Sequence, residues 1–336
     1  MSTFKNLFCA AIVSSMIGST ALAETITWNV GYINAAGSSY VETIKTVPER
    51  ISKATNGRLK IELYDTLVAG PDQPAAVRDG SLDATFAVGP WLSAEAPLLN
   101  VGMLPGLLTD VPTYHKLLDP YIRGAVAKVW QEKYNARQLA TGVFELQCVI
   151  SKEPLLTVEG FKGKKVRVHN NSAADLMLQV GAAPTAVPFG EIVPALQRGI
   201  VDVVMTSVGT ANGIGFSSVA KNVSIWNIGA VITWSFVVNE DVWNKLPADL
   251  KPLVEQEFRK IEDEHFANNA AFNAKNVEML KKSGMDVTFV PQAEIDRLFS
   301  PEHIKPVYDS WYALNDKSGT DGRAMVKKIQ ELKKQL

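Results

Sequence analysis

ITWNVGYINAAGSSYVETIKTVPERISKATNGRLKIELYDTLVAGPDQPAAVRDGSLDATFAV, residues 26–88, alternates between strand-like and helix-like segments. Three short apolar or alternating runs predict strands: Ile26–Gly31, Leu59–Tyr64 and Leu82–Val88. Apolar residues spaced by three and four positions predict a helix over Tyr40–Ala54, which Pro48 kinks or splits, and Ala75–Asp79 predicts another. This alternation predicts an α/β fold with a mostly parallel sheet covered by helices.

The same pattern recurs in the second part of the chain. Strands are predicted at Val143–Ser151, Lys165–Val168 and Val201–Met205. Helices are predicted at Ser172–Val180 and Glu191–Arg198, each followed by a glycine that can end it. Two α/β units predict two lobes, with a ligand cleft between them at the carboxyl ends of the strands.

A long helix is predicted over Leu253–Ser283, which contains neither proline nor glycine. An unbroken helix here would be long enough to lie across both lobes, and two helices broken near Asn268 and Asn269 are the alternative. The expected domain boundaries are 24–146 plus about 236–275 for lobe I, and 147–235 plus about 276–336 for lobe II.

The N-terminus reads MSTFKNLFCAAIVSSMIGSTALAE, with one lysine, an apolar run and an Ala-Leu-Ala cleavage site. This layout is typical of a secretory signal peptide and predicts cleavage after residue 23; a buried N-terminal helix is the alternative. Cleavage removes Cys9 and leaves Cys148, so no internal disulfide is expected. No later stretch approaches the roughly 20 apolar residues of a membrane span. The expected location is the periplasm.

Charge and composition exclude several classes of function. The 336 residues carry 34 Lys and Arg against 35 Asp and Glu, so no global field favours nucleic acid, and a charged ligand must meet local charge. Two cysteines and four scattered histidines give no metal-ligand spacing, so neither a metal nor a cofactor is expected. The sequence contains no Gly-x-Ser-x-Gly, Walker A or HExxH motif, which predicts that the protein is not an enzyme.

The segment Lys162–Val168, KGKKVRV, supplies the main candidate for charge recognition. Arg167 lies between two valines, so on a strand it points away from the face that they occupy. Its planar guanidinium can bind a carboxylate through two parallel hydrogen bonds and stays charged at physiological pH. By itself, an arginine on a strand is more often a surface or ion-pair residue.

Several short motifs in one order resemble the DctP-type solute-binding proteins of TRAP (tripartite ATP-independent periplasmic) transporters. They are TNGRLKI at 55–61, DGSLDA at 79–84, KGKKVRV at 162–168, VPFGE at 187–191, ALQRGIVD at 195–202 and WNKLP at 243–247. The resemblance implies a two-lobed receptor that closes on an organic acid and delivers it to the membrane permease subunits. It also implies that Arg167 binds the ligand carboxylate, that Phe189 packs on the ligand and that Asn34 is a polar residue of the site. For Phe189, plain core is the alternative.

Departures from the family pattern add further candidates. Thr206 lies where many members have a pocket asparagine, and Ser207 follows it. Gln147 takes the place of a second ligand-binding arginine, which argues against sialic acid and leaves one carboxylate as the anchor. His169 is expected at the surface, with a position in the cleft as the alternative.

Aromatic residues near predicted strand ends bear on the other end of the ligand. Tyr32, Trp91 and Trp226 can stack on an apolar body from such positions, although each fits a core role as well. They favour a monocarboxylate with an aromatic or hydrophobic portion over a small dicarboxylate. The remaining alternatives are an exported enzyme such as a hydrolase that uses the same cleft, and a receptor linked to a membrane sensor.

Overall fold

The first of two sheets carries the N-terminal strands. The computed structural model describes residues 25–336, and the predicted signal peptide lies outside the described residues. The strands of this sheet are β1 (Ile26–Gly31), β2 (Leu59–Tyr64), β3 (Ala84–Ala87), β4 (Ala136–Val143) and β10 (Thr233–Asn239). Their order is β2-β1-β3-β10-β4; β1 pairs in parallel with β2 and β3, and β10 is antiparallel to both of its neighbours.

The second sheet carries the other six strands of residues 25–336. They are β5 (Gln147–Ser151), β6 (Lys165–Val168), β7 (Ala183–Ala186), β8 (Val203–Ser207), β9 (Asn222–Ile225) and β11 (Asp286–Phe289). Their order is β11-β9-β5-β8-β6-β7, with β5 antiparallel to β8 and β9. Both sheets are therefore mixed, because one antiparallel strand enters each otherwise parallel set.

Helices cover the two sheets. They are α1 (Ser39–Ile44), α2 (Val47–Ala54), α3 (Gln73–Arg78), α4 (Val111–Leu117), α5 (Arg123–Tyr134), α6 (Asn171–Gln179), α7 (Ile192–Gln197), α8 (Val208–Gly213), α9 (Glu240–Lys245), α10 (Lys251–Lys282), α11 (Gln292–Leu298), α12 (Pro301–Ser318) and α13 (Gly322–Lys333). Within residues 25–336, none of the helices combines the length and the apolar character needed to cross a membrane.

The predicted α/β architecture with two lobes is confirmed, and several elements begin and end as the sequence predicts. β1, β2 and β6 match their predicted bounds, because each is a short alternating run closed by turn residues. The helix predicted over residues 40–54 is split into α1 and α2, with Pro48 in the first turn of α2. Proline lacks a backbone N–H and fits the first turn of a helix, so it marks the start of the second helix.

The predicted strand Val143–Ser151 is wrong as one element. β4 ends at Val143 and β5 begins at Gln147, and the two strands belong to different sheets. Residues 144–146 therefore carry the chain from the first lobe to the second. The return crossing lies between β9 and β10, at residues 226–232.

The long helix α10 is unbroken over 32 residues, about 48 Å at 1.5 Å per residue, so the alternative of two helices is wrong. It packs on β4 and α2 of the first lobe and on α8 and β11 of the second. At the crossing, Asn273 Oδ1 accepts a hydrogen bond from the Leu146 N–H at 2.8 Å. The two crossings, residues 144–146 and 226–232, form the hinge between the lobes. α10 thus contacts the hinge as well as both lobes.

Lobe boundaries differ from the predicted ones near the C-terminus. β11 lies in the second sheet, whereas α13 packs against α4 of the first lobe. Its Met325, Val326 and Ile329 join the first-lobe core around Trp130. Residues 276–336 are therefore shared between the lobes. The sequence does not show this, because an apolar helix face gives no signal of which lobe it will cover.

Candidate functional site

A cavity lies between the two lobes. Its lining residues are Ile33, Ala35, Val88, Trp91, Phe144, Gln147, Arg167, His169, Phe189, Thr206, Ser207, Thr210 and Ile232. The first-lobe side is apolar, with Trp91 and Phe144 as its aromatic members. The second-lobe side carries the polar groups, together with Phe189. A ligand held here meets a hydrocarbon wall on one side and hydrogen-bonding groups on the other.

Arg167 lies in the middle of β6, with its side chain directed into this cavity and only 5% exposed. Its Nη1 donates to the Met205 carbonyl of the neighbouring β8 at 2.9 Å, and its Nε has no hydrogen-bond partner within residues 25–336. Burial lowers the pKa of Arg167 to about 10, which leaves it cationic at neutral pH. A buried arginine with free hydrogen-bonding capacity is suited to bind an anion from the cavity.

His169 also lines the cavity, so the expectation of a surface histidine is wrong. It lies one residue past the end of β6 and two positions after Arg167, and both side chains line the cavity. Burial, and then the charge of Arg167, lower the pKa of His169 to about 3. The imidazole is therefore neutral at physiological pH. Neither ring nitrogen has a hydrogen-bond partner in the described part of the chain.

Hydroxyl and amide groups complete the polar side. Gln147 is 2% exposed, and its Nε2 donates to the Glu145 carbonyl at 2.8 Å. Thr206 and Ser207 end β8, and Ser207 is the N-cap of α8, where its Oγ accepts from the Thr210 N–H at 3.2 Å. These groups lie on β5 and β8, the strands that lead from Arg167 toward the hinge.

Glu145, in the crossing between β4 and β5, joins the two lobes. Its Oε1 accepts from the Ser39 N–H at the start of α1, and its Oε2 accepts from Ser207 Oγ at 3.1 Å. It is 1% exposed, and burial raises its pKa. One carboxylate therefore holds a residue of each lobe in this closed arrangement.

Glycines allow the lobes to meet closely at this point. A Cβ built on Gly213 of α8 would lie 1.7 Å from the Ala36 carbonyl oxygen of the first lobe. Farther along the cleft, Asn100 Nδ2 donates to Ser172 Oγ at 2.7 Å, and the rings of Trp91 and Phe189 lie 6.1 Å apart. Contacts between the lobes thus flank the cavity on two sides.

Three predicted site residues lie elsewhere. Trp226 is fully buried in the second-lobe core, where it packs on Phe161 and its Nε1 donates to the Leu155 carbonyl at 2.8 Å. Tyr32 packs against the first-lobe core, and Asn34 is exposed and donates to Asp65 at 3.0 Å. A position near a strand end does not reveal which face a side chain takes.

Sequence reasoning missed much of the first-lobe wall. Phe144 and Ile232 lie in the two crossings, and Ile33, Ala35 and Val88 follow strands of the first sheet. One signal was available for Phe144. It stands beside Glu145, a charged residue inside an apolar run, which is typical of a break in a buried strand.

The side-chain chemistry of the cavity suits binding. No group of His, Cys, Asp and Glu within residues 25–336 could hold a metal ion. The Ser207 hydroxyl bonds to Glu145 and Thr210, whereas His169 bonds to neither.

Similarity to known proteins extends over nearly the whole chain. A sialic acid-binding periplasmic protein, SiaP, of Vibrio cholerae is 26% identical over 311 residues, which cover 92% of this chain and 94% of that protein. Among solved structures, the Bordetella pertussis extracytoplasmic solute receptor DctP7 superposes with a TM-score of 0.80 at 19% identity, covering 92% of this chain and 100% of the other.

A TRAP periplasmic solute-binding protein of Desulfovibrio salexigens gives a TM-score of 0.81 at 20% identity, covering 93% and 98% of the two chains. At these identities the structural likeness establishes the fold. The family model of DctP, bacterial extracellular solute-binding protein family 7, matches residues 30–315. With this match the resemblance read from the short motifs is confirmed: the chain belongs to the DctP family of bacterial extracellular solute-binding proteins.

Proposed function

We propose that this protein is a periplasmic receptor that captures a small monocarboxylate with an aromatic or hydrophobic portion and delivers it to the membrane permease subunits of a TRAP transporter. Removal of residues 1–23 would accompany its export. The observation that carries the proposal is Arg167, a buried cation in an otherwise largely apolar cavity, with no carboxylate of residues 25–336 paired to it. A carboxylate ligand would supply the missing negative charge.

The lining of the cavity favours one carboxylate over two. Arg167 is the one charged side chain among the lining residues, and His169 is neutral. A second carboxylate would face the apolar first-lobe wall without a partner, and burying an unpaired charge is costly. Trp91, Phe144 and Phe189 can contact the hydrophobic portion of the ligand.

The ligands of similar proteins bear on the chemical class of the ligand here. The Bordetella receptor DctP7 binds pyroglutamic acid, and the Desulfovibrio protein holds orotic acid. Both ligands are organic acids, which supports an organic acid here.

A thermal-shift screen of aromatic and aliphatic carboxylic acids tests the proposal. An acid that binds the folded protein raises its melting temperature by mass action, and the same acid should give little shift with Arg167→Ala. Equal shifts in the two proteins would refute the carboxylate assignment. Recovery of the acid unchanged after prolonged incubation separates a receptor from a hydrolase. Uptake of the acid by vesicles that contain the permease subunits should require the protein.

A further inference from the structure

Unpaired polar atoms on the second-lobe side define what the ligand must offer. They are Arg167 Nε, Gln147 Oε1 and both ring nitrogens of His169. All four atoms are buried, and all three residues line the cavity. Buried polar atoms in folded proteins are normally hydrogen-bonded, so a bound ligand is expected to pair these.

The orientation of the Gln147 amide is set by its neighbour. Its Nε2 lies 2.8 Å from the Glu145 carbonyl oxygen, which can only accept a hydrogen bond. The opposite orientation would bring two oxygens together. Oε1 is therefore the free atom, and it can only accept. A carboxylate cannot satisfy it, because an ionised carboxylate has no donor.

His169 adds a second demand of the same kind. A neutral imidazole has one N–H donor and one acceptor nitrogen, and neither is paired within residues 25–336. The N–H can donate to the ligand carboxylate beside Arg167. The acceptor nitrogen, like Gln147 Oε1, then needs a hydrogen that the ligand carries.

We infer that the ligand presents an N–H or O–H donor beside its carboxylate, and that Gln147 and His169 are the specificity-determining residues that offer acceptors for it. The inference rests on the proposed function and narrows its substrate class to small hydroxy acids and N–H heterocyclic acids. Polyhydroxylated acids fit poorly, because the first-lobe wall of Ile33, Val88 and Ile232 offers their further hydroxyls no side-chain partner.

Matched pairs of acids that differ in this donor provide the test. The pairs are pyrrole-2-carboxylate with furan-2-carboxylate, mandelate with phenylacetate, and lactate with propionate. Isothermal titration calorimetry of the full mature chain at pH 7 should show that, in the pair that binds, the donor-bearing member binds about tenfold tighter or more. Equal affinities, as when a bound water satisfies Gln147, would overturn the inference and leave the proposed function intact.

Variants assign the preference to its residues. In Gln147→Leu the donor-bearing acid should lose affinity while its partner acid changes little, so that the ratio of the two dissociation constants shrinks toward one. His169→Phe should reduce the ratio by the same mechanism, and it provides a second measurement if the first variant folds poorly. Gln197→Leu, at an exposed position of α7, is the matched control and should keep the wild-type ratio.

The outcomes separate the two levels of the proposal. A wild-type preference that persists in both cavity variants refutes the assignment to Gln147 and His169. A panel in which no acid binds contradicts the proposed function itself.

Discussion

Replacing Arg167 with methionine should change affinity and stability in opposite directions. Methionine keeps a long unbranched side chain and removes the charge. Burial lowers the pKa of Arg167 to about 10 from an ordinary 12.5, which corresponds to roughly 3 kcal/mol by which the folded protein disfavours the charge. The substitution also removes the hydrogen bond to the Met205 carbonyl, which costs about 1 to 2 kcal/mol. The ligand-free Arg167→Met protein should therefore be as stable as the wild type or more stable by about 1 to 2 kcal/mol.

Affinity should fall in the same variant. Losing one partner of a buried charge pair costs about 2 to 5 kcal/mol, which is roughly a 30-fold to several-thousand-fold increase in Kd. Urea unfolding without ligand measures the first effect. Calorimetry with the acid that gives the largest thermal shift measures the second.

Arg198→Met is the matched control, because Arg198 is exposed at the end of α7. It should change neither quantity. If Arg167→Met lowered the ligand-free stability by more than 2 kcal/mol and left Kd unchanged, Arg167 would be a structural residue and the reasoning would be refuted.

Three further predictions concern the core, the hinge and pH. Trp226→Phe removes the hydrogen bond to the Leu155 carbonyl, so urea unfolding should show a loss of about 1 to 3 kcal/mol in the free energy of unfolding, with Kd unchanged. Weaker ligand binding at unchanged stability would show instead that Trp226 belongs to the binding site. Gly213→Ala should weaken all ligands by the same factor in calorimetry, because its Cβ would meet the Ala36 carbonyl oxygen only when the lobes are closed, and unchanged affinity would contradict this. Stability should fall as pH drops from about 6.5 toward 4, since burial lowers the pKa values of His169 and His265 to about 3 and about 4, and the unfolded chain then binds more protons. Urea unfolding at pH 7, 6 and 5 should show this fall, with a smaller slope in His169→Gln; equal slopes would argue against a neutral buried His169.

Control substitutions sharpen two of these comparisons. Gly190→Ala introduces a methyl group with no atom within 4 Å, and it should leave the affinity unchanged. His303→Gln, at a half-buried position of α12 that does not line the cavity, is the histidine control for the pH series.

Short alternating strands were predictable because their own residues determine them. β6 has the predicted bounds, and the alternation Val166, Arg167, Val168 placed the arginine opposite the second-lobe core. Gln147, Thr206 and Ser207 were predicted from the resemblance to the family, and all three line the cavity.

The parts that sequence reasoning missed depend on contacts distant in the chain. His169 reads as a surface residue, because the residues that surround it in the cavity are distant in the chain. Trp226 reads as a cleft residue, because the sequence does not show which way an aromatic side chain just after a short strand will point. Residues 144–146 read as strand, because the apolar runs on either side look like one continuous strand in the sequence. In the structure the two runs belong to different sheets.

The bridge through Glu145 has a thermodynamic consequence. Ser207 lines the cavity and bonds to Glu145, which also holds Ser39 of the opposite lobe. Ligand binding in the cavity and opening of the lobes therefore both affect the hydrogen bonds of Glu145. Thermodynamic linkage makes the coupling between these two equilibria reciprocal. A ligand that favours the closed bridge by a given factor disfavours, by the same factor, any partner that binds the open form. Such a partner would release the ligand simply by binding, with no contact to the cavity and no external energy source.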